Sequence, residues 1–429
     1  MTLSGGTADM LSTLAVAAAV GALLWALIRR SAKVGLVAFL LSVAFVPYWA
    51  GVTIAVYFPP ACLVAMLVIT AVRTPVPSPP MWADWAVMLL ILLCVIPFGI
   101  GAGTRTTVFV ALAHWGTGYL LGRRAPSVVD LEWIYKAIAV VFSVVAVLAL
   151  VEFALSWNPF VLVPGGGPLQ VWSAVQERGG ILRAEGAFGH SIALGACLAL
   201  AIPVTMACRV RPGVRAVMAL LQAGAALVTF SRLGIAMAVA GIGLSLLLLP
   251  QVPTRLRVGI ATAGAVLALV FSPRVLSVFT AAGTEASGSA AYRLDLTALL
   301  PELSPLGISD SAERDPGGTL TFGAFRSIDS AMLLLGLSYG ALAMIVASVL
   351  CLGAVVTMLL GRATPPTLAL VVQIPALLTV ALITQYAILL WFFAGLAVAS
   401  QAQAARRPTP APRTTRSPTP ATRRAVSVP

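Results

Sequence analysis

Arg183-Ala-Glu-Gly-Ala-Phe-Gly-His190-Ser-Ile-Ala-Leu-Gly-Ala-Cys-Leu-Ala-Leu-Ala-Ile-Pro-Val-Thr-Met-Ala207 sets a short polar, glycine-rich patch directly against an apolar run. The run carries no charge until Arg209, so it reads as a membrane helix bracketed by arginines. A second patch, Val228-Thr-Phe-Ser-Arg232-Leu-Gly, sits between two further apolar runs. Arginine at the centre of a lone membrane helix costs about 2.5–3.5 kcal/mol on insertion scales. Arginines gathered at the edge of a membrane therefore suggest an anionic ligand there.

The rest of the chain fits that reading. Of 429 residues, 60% are hydrophobic and 10% charged, which excludes an ordinary soluble domain. Continuous rather than alternating apolar runs disfavour a transmembrane β-barrel. The net charge of +13 has no interleaved aromatic pattern of the kind nucleic-acid binders carry, so no nucleic acid is expected. Cys62, Cys94, Cys197, Cys208 and Cys351 form no Cys-x-x-Cys pair and read as packing residues. The first apolar run, Met10 to Ile28, is followed rather than preceded by basic residues, so it reads as a retained span and not a cleaved signal.

The expected fold is all-α: a polytopic helical membrane protein of 12–13 spans with a large, partly helical external loop. The expected helices are 10–28, 34–47, 51–72, 84–100, 106–121, 133–156, 190–207, 214–230, 233–249, 257–272, 330–359, 366–383 and 386–400. Gln385 is the expected turn between the last two. The membrane domain covers 1–404, with external loops at 157–189 and 273–327, and 405–429 is a basic, Pro- and Thr-rich tail expected to be disordered.

Charge sets the orientation. Arg29, Arg30, Lys33, Arg73, Arg123, Arg124, Lys136, Arg209, Arg211, Arg215, Arg255, Arg257, Arg362 and the six tail arginines fall on one side. Arg105, Arg178, Arg183, Arg232, Arg274, Arg293, Arg314 and Arg326 fall on the other. The richer side is expected to be cytoplasmic, which leaves the N-terminus outside and the tail inside. Both patches and both long loops then lie outside.

Within the second loop, Tyr292-Arg-Leu-Asp-Leu-Thr-Ala-Leu-Leu300 has helical apolar spacing, while Ala281–Ala290 and Ser309–Gly318 look flexible. The loop ends at Arg326-Ser-Ile-Asp329-Ser330, where Asp329 or Ser330 could cap the next helix. The sharper reading makes Asp329 a general base, which then lies nearer an acceptor than the arginines that would lower its basicity. His190 is a candidate hydrogen-bond donor or proton carrier. Glu152 is a buried carboxylate expected to pair with an external arginine. Asp310, Glu313 and Asp315 lack the spacing of a calcium loop and read as solvated. No phosphate-binding loop, serine-nucleophile motif or metal-ligand cluster is present, and no cofactor is expected.

Taken together, these stretches resemble the O-antigen ligase and O-antigen polymerase superfamily of bacterial membrane glycosyltransferases. The matching features are Arg183-Ala-Glu-Gly-Ala-Phe-Gly-His190, the Ser231-Arg232 turn, Tyr292-Arg293 opening a helical loop segment, Pro305-Leu-Gly307, and Ser327-Ile-Asp-Ser-Ala-Met-Leu-Leu-Leu-Gly-Leu-Ser-Tyr-Gly340. They span roughly residues 180 to 345. One departure is chemical: Asp329-Ser330 stands where ligases usually carry His-Asn, which favours a polymerase-like member.

The resemblance implies a GT-C-like architecture in the bacterial inner membrane and a metal-independent, inverting transfer on the external face. The donor is a glycan on a polyprenyl diphosphate, and the acceptor a sugar hydroxyl on a glycan or lipid-linked glycan. Arg183, Arg232, Arg293 and Arg326 would hold the diphosphate, Asp329 would be the base and His190 a second candidate. A chain-length regulator or other assembly proteins would be partners. Two other readings stand beside it: a lipid-linked sugar flippase or transporter, and a peptidoglycan glycan-strand polymerase.

Overall fold

Apolar runs broken by Pro, Gly and charge form helices here almost without exception, and the few departures shape the site. The computed structural model describes residues 19–54, 56–72, 79–165, 167–281, 288, 291–314 and 320–406. The start of the first expected span, Arg73, Asp315, most of Ala281–Ala290 and the tail from 407 lie outside the described residues.

The helices in chain order are α1 (19–30), α2 (Ala32–Phe45), α3 (Pro60–Ala71), α4 (Trp82–Gly99) and α5 (Arg105–Phe109). A π-helical turn, Val110–Gly116, joins α5 to α6 (Thr117–Val128). There follow α7 (Leu131–Leu155), α8 (Ser191–Ala207), α9 (Pro212–Val228), α10 (Arg232–Leu248) and α11 (Thr254–Ala281). The chain ends with α12 (291–295), α13 (Ala331–Tyr339), α14 (Ala341–Leu359), α15 (Pro365–Thr379) and α16 (Tyr386–Ala405). Three two-stranded antiparallel hairpins decorate the loops: β1–β2 (Val52–Ile54, Val56–Phe58), β3–β4 (Glu177–Arg178, Ile181–Leu182) and β5–β6 (Ala312–Arg314, Leu320–Phe322).

Among the described residues, five helices are long and apolar enough to cross a membrane: Trp82–Gly99, Leu131–Leu155, Thr254–Pro273, Ala341–Leu359 and Tyr386–Ala405. Six shorter apolar helices pack among them. Along α14, Leu342, Ile345, Val349, Leu352, Val356 and Leu359 are all exposed. A face of that kind is costly in water and natural against lipid.

Three expectations change. The run 51–72 is not one helix: β-branched and aromatic residues at 52–58 pair as a hairpin, and Pro59-Pro60 starts α3 only afterwards. The run 330–359 breaks at Gly340, whose φ is 103°. The loop segment Ser304–Ser309 fills the break: Ala341 N–H donates to the Ser304 carbonyl at 2.8 Å, Leu342 to Pro305 at 3.2 Å, Gly307 to Tyr339 at 2.9 Å and Ser309 to Leu337 at 2.8 Å. Those backbone bonds replace the ones the interrupted helix loses, so the start of the stretch expected to be flexible, Ser309–Arg314, is ordered instead. Finally, α11 runs to Ala281, nine residues beyond 272, so the loop expected at 273–327 begins later.

The core is built on α8, of which every residue but Ile192 is buried. Close crossings depend on small residues. A Cβ on Gly122 of α6 would lie 1.9 Å from the Phe392 carbonyl oxygen of α16, and one on Gly395 would lie 2.0 Å from that of Tyr119. The α8–α10 crossing brings the Gly195 and Gly234 backbones together, a Cβ on either meeting the other's Cα at 3.1 Å. Such contacts are the usual way helices approach where water supplies no driving force. Where α4 meets α6, Asp84 accepts from Arg123 Nε at 2.8 Å and from the Tyr119 hydroxyl at 2.6 Å.

Candidate functional site

The first two sequence patches meet. The short β3–β4 hairpin turns through Gly179-Gly180, both at positive φ (55° and 72°), and delivers the chain to Arg183. There Ala184 N–H donates to the Val228 carbonyl at 3.2 Å, Arg183 Nε to the Thr229 carbonyl at 2.9 Å, and Arg178 to the Phe230 carbonyl at 2.9 Å. Three successive carbonyls of the α9–α10 turn are thus satisfied by the 178–184 segment. That turn is itself tight, with Phe230 at φ 45° and Ser231 accepting the Gly234 N–H as the cap of α10. Arg183 is buried, 7% exposed, and its Nη1 reaches Gln176 Oε1 at 3.4 Å.

Glu152, at the end of α7, does not take an arginine in the bonds that define its place. Its two oxygens accept the backbone N–H groups of Glu185 (3.0 Å) and Gly186 (2.9 Å), while Asn158 donates to the Gly186 carbonyl at 3.1 Å. The polar turn is therefore clamped from below by a carboxylate. Glu185 is 1% exposed and accepts the Gln176 N–H at 3.2 Å. Burial, helped by the nearby Glu152, pushes its carboxyl up to about 7 despite Arg183.

His190 caps α8 by accepting the Ile192 N–H on Nδ1 at 3.1 Å. Burial and Arg183 hold it down at about 4, so it is neutral with its proton on Nε2, a donor rather than a base. Its ring lies edge-on to Trp172, 5.8 Å between centroids. Gly189, at φ 62°, is the one residue type that fits beside it, because a Cβ would meet the Trp172 carbonyl at 2.4 Å and Trp49 at 2.5 Å.

The second loop carries its own small core: Leu296, Leu299, Phe322, Ile328, Leu333 and Leu337. The expected helical stretch forms as α12 followed by a 3-10 segment, Leu296–Glu302. Tyr292 donates to the Ser327 carbonyl, and Arg293 Nε donates to the Thr379 carbonyl at 3.2 Å. Ser330 is the cap of α13, accepting the Leu333 N–H at 3.2 Å. Asp329 is not the cap: Oδ1 accepts only a 3.1 Å bond from the Ser327 hydroxyl, and the residue is half-buried. Burial, with Asp329 close by, raises Tyr292 above the ordinary phenol value.

The turn between α15 and α16 ties the two regions together. Its start receives Arg293 at Thr379 and the Ala331 N–H at Val380 (2.9 Å). Its end, Gln385, donates to the carbonyls of Ala187 (3.0 Å) and Val46 (2.8 Å). Both regions therefore lie at one end of the helix bundle. The four arginines are engaged separately there: Arg183 with the α9–α10 turn, Arg232 over the Phe279 ring at 4.8 Å, Arg293 with α15, and Arg326 exposed.

A cavity of about 1370 Å³ is lined by Ala331 and Met332 of α13, which follows Asp329 in the chain, and by Leu377 of α15. It runs past Leu335, Leu390 and Trp391 to the opposite, basic end at Arg362 and Gln401. Along α14 its lining runs from Ala347 to Leu360, a rise of about 20 Å.

Gln176 is a site residue that reading the sequence did not single out, and Gln385 and Tyr292, expected as a turn and as the start of a helical segment, turn out to bond the site as well. Tyr292 and Gln385 act through partners 35 or more positions away, which no local spacing marks, and Gln176 acts within its own loop on Arg183 and Glu185. Among the described residues no three His, Cys, Asp or Glu side chains gather as a metal site. Compared with protein-family models, with curated proteins and with solved structures, the chain matches none.

Proposed function

We propose that the chain is a membrane glycosyltransferase of the polymerase or ligase type. It moves a glycan from a polyprenyl diphosphate to a sugar hydroxyl at the end that carries Arg183, Arg232, Arg293 and Arg326. The observation that carries this reading is a juxtaposition. Arg326 and Asp329 directly precede α13 and Arg293 bonds the end of α15, and Ala331, Met332 and Leu377 of those two helices line an apolar cavity. A lipid pyrophosphate needs that combination: cations for the leaving group and a dry slot for its tail.

Arg232, Arg293 and Arg326 hold the diphosphate, whose charge grows as the glycosidic bond forms. The helix start beside Arg232 adds unpaired N–H groups of the same sign. Arg183 holds the α9–α10 turn and so sets where Arg232 stands. Asp329 accepts the acceptor's proton while the hydroxyl attacks the opposite face of the anomeric carbon. His190 donates from Nε2.

The test is transfer by purified protein given a prenyl-diphosphate oligosaccharide and followed by mass spectrometry. Elongated or transferred glycan is expected, and Asp329→Ala is expected to lose it. Because the groove reaches the other end of the bundle, a lipid-linked sugar carrier is the second reading. Donor moved across sealed vesicles with no new glycosidic bond would replace the first reading with the second.

A further inference from the structure

At the basic end the same groove has a mouth of different chemistry, which the transferase reading does not use. Asp130, Glu132, Arg209, Arg362 and Gln401 line it. Both signs of charge are present within one cavity wall. Asp130 and Arg362 are exposed, and Arg209 is 80% exposed with Glu132 3.7 Å away. Gln401 donates to the Arg362 carbonyl at 2.9 Å and to Thr367 at 3.1 Å, which fixes the loop that presents Arg362. Immediately inside this ring the lining turns apolar, with Val356, Leu370 and Ala394.

We infer that this mouth binds a phospholipid whose headgroup carries both a phosphate and a primary ammonium, with its acyl chains in the basic half of the groove. Three features select that occupant. Arg362 and Arg209 are suited to a phosphate, which guanidinium groups bind as forks. Asp130 and Glu132 give an ammonium its acceptors. A purely anionic headgroup would bring like charge to Asp130 and compete with Glu132 for Arg209, and a quaternary ammonium would have no N–H to give the carboxylates. The apolar lining directly inside the ring suits acyl chains, which reach about half of a 30 Å core from one leaflet. That leaves the far half of the groove, towards Met332, for another chain.

The inference does not rest on glycan transfer and is tested without it. Delipidated protein is mixed with equal amounts of phosphatidylethanolamine, phosphatidylglycerol and phosphatidylcholine and observed by native mass spectrometry. Phosphatidylethanolamine is expected to be retained about fivefold over each of the others. Arg362→Ala and Glu132→Gln are each expected to bring retention to parity. Arg255→Ala, a basic-end residue outside the groove, is expected to leave it unchanged. Should Glu132→Gln fail to fold, since Glu132 also holds the Arg209 N–H, Arg362→Ala decides alone. Equal retention of the three lipids, preference for phosphatidylglycerol, or selectivity that survives Arg362→Ala would each overturn the proposal.

Discussion

The two arginine-bearing regions at one end of the bundle are built to opposite standards. Around Arg183 nearly every polar group has a partner, and Glu185 and Phe188 are 1% and 0% exposed. Around Arg326 the chain is open, Asp329 holds a single hydroxyl, and Arg293 has one bond to a helix end. A group that is buried and bonded to the backbone of neighbouring elements sets geometry. A charge left in contact with solvent beside a groove is available to a ligand. The difference separates frame from contact within a set of arginines that look equivalent along the chain.

Substitution tests that division, starting with the largest effect. Arg232→Ala and Arg293→Ala are expected to lower transfer about 10²–10³-fold, as removal of a preorganised donor does, while melting in detergent stays near the parent's. Arg183→Ala is expected to act the other way round. It strips a buried donor from the α9–α10 turn, costs about 2–3 kcal/mol, and shows first as lost thermal stability. If Arg183→Ala melted normally yet lost transfer, it would be a contact residue and the division would be wrong.

The pH dependence sharpens the frame. Glu185 is raised to about 7 from an ordinary 4.5, so its contribution is complete below 4.5 and lost as pH rises through 7. His190 is depressed to about 4 from 6.5, so its contribution is complete above 6.5 and lost as pH falls through 4. Glu185→Gln is therefore expected to remove the decline between pH 5 and about 7.5, worth on the order of 3 kcal/mol. An unchanged profile of melting temperature against pH would take Glu185 out of the frame.

Glycine offers a matched pair. Gly189 and Gly323 both sit at positive φ, 62° and 53°. Gly189→Ala meets two atoms inside 2.6 Å, whereas the nearest to a Cβ on Gly323 is at 3.9 Å. Gly323→Ala is expected to cost about 1 kcal/mol for the backbone alone, and Gly189→Ala well over that. Equal losses by denaturation would mean the first region is no more tightly packed than the second.

Ser330→Ala and Asp329→Asn divide cap from chemistry. The first is expected to cost about 1 kcal/mol of stability, the second to leave stability unchanged and stop transfer. Melting and turnover measured on the same preparations decide it.

Much of the helical layout is legible in the sequence, because burial in lipid demands long apolar runs and ends them at charge, Pro or Gly. The break near Gln385 follows from that logic. Gly340 does not, because the run 331–359 stays apolar throughout and only a loop segment 30 residues earlier supplies the bonds that let it break. The hairpin at 52–58 is ambiguous for a related reason: a short apolar run of β-branched residues suits either strand or helix.

The candidate site divides in the same way. Composition and the order of motifs determine that arginines, His190 and Asp329 gather at one end of the bundle, since positive charge is excluded from apolar spans and must sit at their ends. Which of them is buried, that Glu152 holds backbone rather than arginine, and that Ser330 rather than Asp329 caps α13 are decided only by the fold. The burial and the Glu152 clamp depend on contacts between residues tens of positions apart, and the cap on which of two adjacent residues turns its side chain back to the Leu333 N–H. A sequence specifies such contacts jointly through packing, with no single stretch encoding them.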